Sequence, residues 1–227
     1  MFFLMLLCGV SLQSQAAIIT WSMPTDASGD DTDILTIGSL HDSATAFNSD
    51  VIVNGQLFNR DLGLSGGTVT FNNSAITIGN VGSNDNYGNL PAIGWDSEYL
   101  KLVDQGVWLG NGGGVTINIG NLVIGNDYLI QLWNPYWNIN WTTEYKDELG
   151  NSSALLNHGL LASNIAPQYV VGMFTANSSV QTITAFGPSY AIVGSLQVRN
   201  TTISEPGALA LLGLSLLGLG FARRKKA

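Results

Sequence analysis

The feature that most restricts this chain is a two-residue alternation of apolar and polar side chains, repeated between glycine- and asparagine-rich breaks. Val115, Ile117 and Ile119 carry it, and Tyr128, Ile130 and Leu132 repeat the spacing. A helix would scatter such residues round its circumference; a strand gathers them on one face. Segments 68–71 and 75–78 keep the same period between Gly66-Gly67 and Gly79. In V-I-V-N-G-Q-L-F (51–58), Asn54-Gly55 sits where a two-residue hairpin turn needs positive φ. Further strands are expected at 18–22, 34–37, 44–47, 122–124, 169–175, 180–186 and 190–198. One helix is expected after Asp96 or Ser97, with Tyr99, Leu100, Leu102 and Val103 on its apolar face and Gly106 at its end. Residues 134–150 read as a long irregular loop. Roughly ten to twelve short strands and one helix, without a repeat of fixed period, predict an all-β fold: a β-sandwich of jelly-roll type. Composition agrees, being rich in Gly, Asn, Thr, Ser, Val and Ile and poor in Lys, Glu and Arg.

The two ends do not share this pattern. Residues 1–16 are mostly apolar at first and finish on small residues, which reads as a signal peptide removed on export. At the other end, Ser204-Glu205-Pro206 precedes an apolar run, 207–222, and four cations, Arg223, Arg224, Lys225 and Lys226, follow it. Burying the run in hydrocarbon and leaving the cations in cytoplasmic water is the low-energy arrangement, so a C-terminal transmembrane helix is expected.

The order of these parts, acidic-proline pair, apolar run and basic end, resembles the PEP-CTERM sorting signal of bacterial exported proteins. Ser204 stands where that signal usually has its first proline. The resemblance implies that an exosortase, a membrane cysteine protease, processes the chain near Glu205 and Pro206. A plain C-terminal anchor that is never cut is the alternative. The chain then divides into a signal peptide (1–16), an extracytoplasmic domain (17–201) and a sorting signal (202–227). It is expected to be exported, anchored in the inner membrane before processing, and then placed at the cell surface or outside it. Its expected partners are the exosortase, the export machinery and the membrane. Within the body, G-D-D-T-D-I-L-T-I-G-S-L, V-T-I-N-I-G-N-L-V-I-G-N-D-Y-L-I-Q-L-W and V-V-G-M-F-T-A resemble a recurrent exported domain found with such tails. That resemblance implies a galactose-binding-like or carbohydrate-binding jelly roll and no particular site residues.

Fifteen of the sixteen acidic residues lie in the body, against four of the eight basic ones, a net charge of −11. Such a body repels nucleic acid, which excludes it as a partner. Cys8 is the only cysteine and lies in the signal peptide, so the mature chain has neither disulfide nor thiol chemistry.

Residues that could carry chemistry are few. His41-Asp42-Ser43 places triad residue types side by side, where their side chains diverge. Glu98, Glu144, Asp147 and Glu148 could pair for glycoside hydrolysis, but nothing in the sequence pairs them. No enzymatic activity is expected. Asp26, Asp30, Asp31 and Asp33 offer hard oxygen ligands in one loop, a weak candidate for structural calcium; no other cofactor is expected. The binding candidate is Trp133, Tyr136, Trp137 and Trp141, interleaved with asparagines. Indole faces stack on sugar rings while amides bond the hydroxyls, so polysaccharide is the ligand this segment suits. The same rings could instead close the end of the sandwich.

Overall fold

In the computed structural model, which describes residues 17–86, 94–110, 112–137, 141–160 and 165–202, the alternating segments are strands. In chain order they are β1 (Thr20–Trp21), β2 (Thr25–Asp26), β3 (Ser39–Thr45), β4 (Val51–Val53), β5 (Gln56–Ser65), β6 (Thr68–Phe71), β7 (Ile76–Gly79) and β8 (Ser83–Asn86). Helix α1 (Ser97–Asp104) leads directly into β9 (Gln105–Gly110), followed by β10 (Val115–Ile119), β11 (Asp127–Trp133), β12 (Tyr136–Trp137) and β13 (Thr142–Asp147). Then come β14 (Leu156–Asn157), β15 (Gly159–Leu160), β16 (Gln168–Thr175), β17 (Gln181–Phe186), β18 (Tyr190–Val193) and β19 (Leu196–Asn200). The expected hairpin is β4–β5, with Asn54 and Gly55 at φ 51° and 68°.

One hydrogen-bonded path, β1-β16-β11-β19-β3-β5-β6-β7-β10-β17-β13-β14, curls into two layers. β5 is the seam between them. It pairs in parallel with β3 at Ala44↔Asn59 and antiparallel with β6 beyond Asp61, where the register slips. A bulge of this kind lets a strand turn from one layer to the other. Ile130, Leu132 and Val198 of the first layer meet Ile78, Ile117 and Ile183 of the second in one core. Each such side chain stabilises the fold by about 1.5–3 kcal/mol. A short sheet, β18-β9-β8, adds Val107, Ala191 and Val193 to this core. The result is an all-β fold with one α-helix among the described residues, its curled sheets consistent with a jelly-roll-like sandwich.

A second apolar cluster lies outside the first layer. It joins Phe58, Val51 and Val53 of the hairpin to Trp133 and to Tyr99, Leu102 and Val103 of α1. Asp96 caps that helix, accepting from the amides of Glu98 (2.8 Å) and Tyr99 (3.0 Å).

Four expectations need correction. Segment 34–37 is not a strand: side chains take over the bonding that a ladder would supply. Buried Gln131 and Gln197 donate to the carbonyls of Asp33 and Leu35, and Arg199 donates to those of Ile37 and Gly38. Segment 122–124 is also not a strand but part of the β10–β11 connection, with Leu122 buried and Val123 and Ile124 exposed. The loop expected at 134–150 contains β13, whose inward side chains are Thr143, Tyr145 and Asp147. The single strand expected at 190–198 breaks at Gly194, which bonds the carbonyl of Trp133 and lies so close to it that a side chain would collide.

The strand ends define two poles. The proximal pole holds connections 72–75, 120–126, 148–151 and 176–180, with Ile18 and Thr201 beside them. The distal pole holds α1, the short sheet and the described parts of segment 133–142. The expected signal peptide (1–16), Ser204-Glu205-Pro206, the apolar run and Arg223 to Lys226 lie outside the described residues. Among the described residues, no helix is long and apolar enough to cross a membrane.

Candidate functional site

The aromatic segment is divided rather than displayed. Along β11, Leu132 points into the main core and Trp133, one residue on, into the second cluster. Trp133 has no exposed surface. Its indole stands edge-on to Phe58 (5.8 Å, 81°), and its Nε1–H donates to the Tyr99 hydroxyl (3.1 Å). Burial, reinforced by the Asp33 carboxylate, pushes the Tyr99 phenol well above its ordinary range. Tyr136 is buried too, tilted against Trp95 at 5.5 Å, and burial pushes its phenol up to about 12. It pairs with Gly159, where any side chain would fall inside the Tyr136 ring. The expectation that Trp133 and Tyr136 form a ligand platform is therefore corrected: alternation and a glycine socket turn both inward. The Trp137 side chain lies outside what the structure describes.

Trp141 has the opposite fate. It is half-buried, stacked on Tyr190 at 4.1 Å and 24°. Tyr190 in turn stands edge-on to Trp108 at 5.2 Å. Tyr190 lies across from Gly110 in the β18–β9 register, and its ring covers that glycine. The three half-buried rings come from three separate parts of the chain, so sequence reading missed Trp108 and Tyr190. Their only advance signal is an aromatic residue beside a glycine-rich break.

A cleft of about 500 Å³ at the same end is lined by Ser28, Gly29, Asp30, Asp31, Gly94, Trp95 and Asp96. Its carboxylates have local roles. Asp30 accepts from the Thr32 amide (2.9 Å), which lowers its pKa, and Asp96 caps α1. The hydrogen bond with Asp30 raises the Asp31 pKa, helped by desolvation and by the charges of Asp30 and Asp96. Of the other calcium candidates, Asp26 accepts from Gln168 Nε2 and buried Asp33 from the Ser28 amide. Among the described residues, no three His, Cys, Asp or Glu side chains converge as ligands for a metal ion.

Most of the remaining chemical candidates are also engaged, while Glu148 is exposed. His41 bonds the Gly120 carbonyl through Nε2 (3.0 Å), while Asp42 accepts from Ser74 and the Ala75 amide. His158 is fully buried against Thr143 (2.8 Å), and burial pushes its pKa down to about 3, so it stays neutral. Glu98 pairs with Lys101, and Glu144 with Lys146 at 2.6 Å. Asp147 is tied by amides at the proximal pole.

At that pole Thr201 and Thr202 bond Asp127, so the chain leaves the domain at a fixed point, directly before the acidic-proline pair. Residues 202–226 match the PEP-CTERM protein-sorting motif. This motif marks exosortase-dependent sorting to the cell surface through a membrane-anchored precursor. The search of curated proteins matches none. Among solved structures, the chain is similar at 8% identity and TM-score 0.31 to a family GH115 4-O-methyl-alpha-glucuronidase with specificity for decorated arabinogalactans. The match covers 53% of this chain and 18% of that one.

Proposed function

We propose that this chain is a non-enzymatic surface or extracellular-matrix protein, delivered through its PEP-CTERM tail and working within an envelope or polysaccharide layer. The observation that carries this reading is the fixed exit at Thr201–Thr202, which joins a sandwich domain directly to the sorting motif. Export uses the segment 1–16, and the run 207–222 anchors the precursor until exosortase acts. The local engagement of the histidines and carboxylates supports a structural role. Mass spectrometry of the mature protein tests the delivery step: a C-terminus near Pro206 is expected, and an intact Ala227 on the surface protein would overturn processing.

A second reading is carbohydrate binding, moved from the 133–141 segment to the Trp108–Tyr190–Trp141 group. Its support is the three half-exposed rings at the pole away from the tail. Flat rings of this kind stack on the apolar faces of sugars. A glycan array with the mature protein should give binding that falls about tenfold in Trp141→Ala, equivalent to about 1.4 kcal/mol. Binding unchanged by that substitution, or none at all, excludes the reading.

A further inference from the structure

We propose that the proximal pole is a lipid-docking surface that seats the domain on the bilayer holding its own tail. The proposal rests on the reading that residues 207–222 anchor the chain in a membrane. Four strands end in one row at this pole. Thr20 pairs with Met173 on β16, Asp127 faces Thr175, and the Thr201 amide bonds the Asp127 carbonyl at 2.8 Å. Ile18, Met173, Asp127 and Thr201 line one shallow cleft of about 420 Å³. The start of the described domain and its exit toward the tail are therefore on the same face.

That face exposes aliphatic side chains where turns are ordinarily polar. Ile18, Val123, Ile124, Leu149, Met173 and Val180 are each 47–65% exposed. Val123 and Ile124 form the tip of a turn closed by the Asn126 amide on the Val123 carbonyl (3.1 Å), with Gly125 at φ 88°. The neighbouring 176–180 turn is bound to it through Leu122 N to Ser179 O and Gly125 N to Ala176 O. Connections 72–75, 120–126, 148–151 and 176–180 contain no Lys or Arg, and Glu148 is their only ionisable residue. The surface sets exposed aliphatic side chains among Asn, Ser and Gly, with Asp127 at its cleft and no cation, and the body is strongly acidic. It therefore suits insertion among neutral headgroups and does not depend on anionic lipid.

The tether commits the occupant. From Thr202 to Gly207, where the apolar run begins, the chain reaches at most about 18 Å when fully extended. The pole is thus held next to the bilayer at high effective concentration, so even weak apolar insertion is populated.

The test uses the full chain with Cys8→Ser, reconstituted through its tail into vesicles of phosphatidylethanolamine with a minor share of phosphatidylglycerol. Single fluorophores are placed at Ile124→Cys, Val180→Cys or, as the distal reference, Ser189→Cys. Co-flotation with vesicles reports the anchor separately. Quenching by nitroxide-labelled lipid reports docking, and at positions 124 and 180 it should exceed that at 189 by about threefold or more. A Val123→Ser/Ile124→Ser chain should still float while the 180 probe loses most of its quenching. A chain that floats with equal quenching at 124 and 189 overturns the docking but leaves the anchor standing. A blue shift at 124 without lipid quenching assigns the patch to a protein contact and also overturns it. Failure to float removes the anchor reading and the docking with it.

Discussion

The proximal and distal poles of the sandwich grow from opposite ends of the same strands, yet they treat apolar side chains in opposite ways. At the distal pole, aromatic residues pack ring against ring, and one tryptophan, Trp133, is fully enclosed. At the proximal pole, smaller aliphatic residues stand exposed on separate connections, above a ground layer of polar bonds. Residue type alone therefore misleads about which end leaves apolar side chains exposed. A tryptophan-rich segment supplies core, while a turn that looks like strand sequence supplies exposed surface. What separates them is pairing: Trp133 finds Phe58 and Tyr99 across the fold, whereas Ile124 sits at a turn tip beyond the last strand residue.

The sharpest break of this contrast would come at Trp133. Replacing a fully buried tryptophan by alanine should cost about 3–5 kcal/mol, measured by urea unfolding of the domain-bearing protein. Because the Tyr99 hydroxyl also loses its donor, the value should fall in the upper part of that range. A loss below about 1 kcal/mol would mean the inner rings are not core, and the two poles would no longer differ in kind.

At the proximal pole the stabilising element is polar. Asp147 accepts from the amides of Ile19, Leu149 and Asn151 and from the Asn151 side chain, all at 2.8–2.9 Å. Burial works to raise its pKa, but these four donors outweigh it and hold the carboxyl below the ordinary range. A depressed folded pKa contributes stability that is present above the unfolded value and disappears as pH falls through the folded one. Asp147→Asn should therefore cost about 2–3 kcal/mol at neutral pH, from bonds to a charged acceptor. The variant should also lose part of the acid-side decline in melting temperature. An unchanged acid limb would show that the pole does not depend on this carboxylate.

Much of this contrast was legible in the chain, and the gaps have physical causes. Period-two segments around Ile117 and Ile130, the Asn54-Gly55 hairpin, the Asp96 cap and the sorting tail are local patterns, and each carries its own signal. β13 was hidden because T-T-E-Y-K-D has one large apolar residue, and its other inward positions, Thr143 and Asp147, are satisfied by hydrogen bonds. Segment 34–37 reads as a strand because Gln131, Gln197 and Arg199 resemble solvent-facing positions, yet that segment lies over them. The Trp108–Tyr190–Trp141 group depends on strand pairing across distant parts of the chain, which no local pattern reports.

The outer rings give a smaller effect that sharpens the distinction within the distal pole. Trp141 is half-buried and stacks on Tyr190, a pair that contributes about 0.5–1.5 kcal/mol beyond the area it buries, so Trp141→Ala should cost less than Trp133→Ala in the same urea experiment. A cost matching that of Trp133→Ala would place Trp141 in the core and remove it from any binding surface.

The smallest effect on stability belongs to the tip of the proximal pole, and its smallness is the point. Ile124 is 65% exposed, so burying it contributes little to the fold. Its backbone sits in a turn that Gly125 and the Asn126 amide define without help from the side chain. Ile124→Ser should therefore stay within about 0.5 kcal/mol of the parent in urea unfolding. It could even gain slightly, since serine is the better turn residue. An aliphatic residue that folding does not need, on the face where the chain leaves toward the sorting motif, is available for contact outside the domain. If Ile124→Ser instead lost more than about 1 kcal/mol, the side chain would be packing against the protein, and the proximal pole would be an extension of the core.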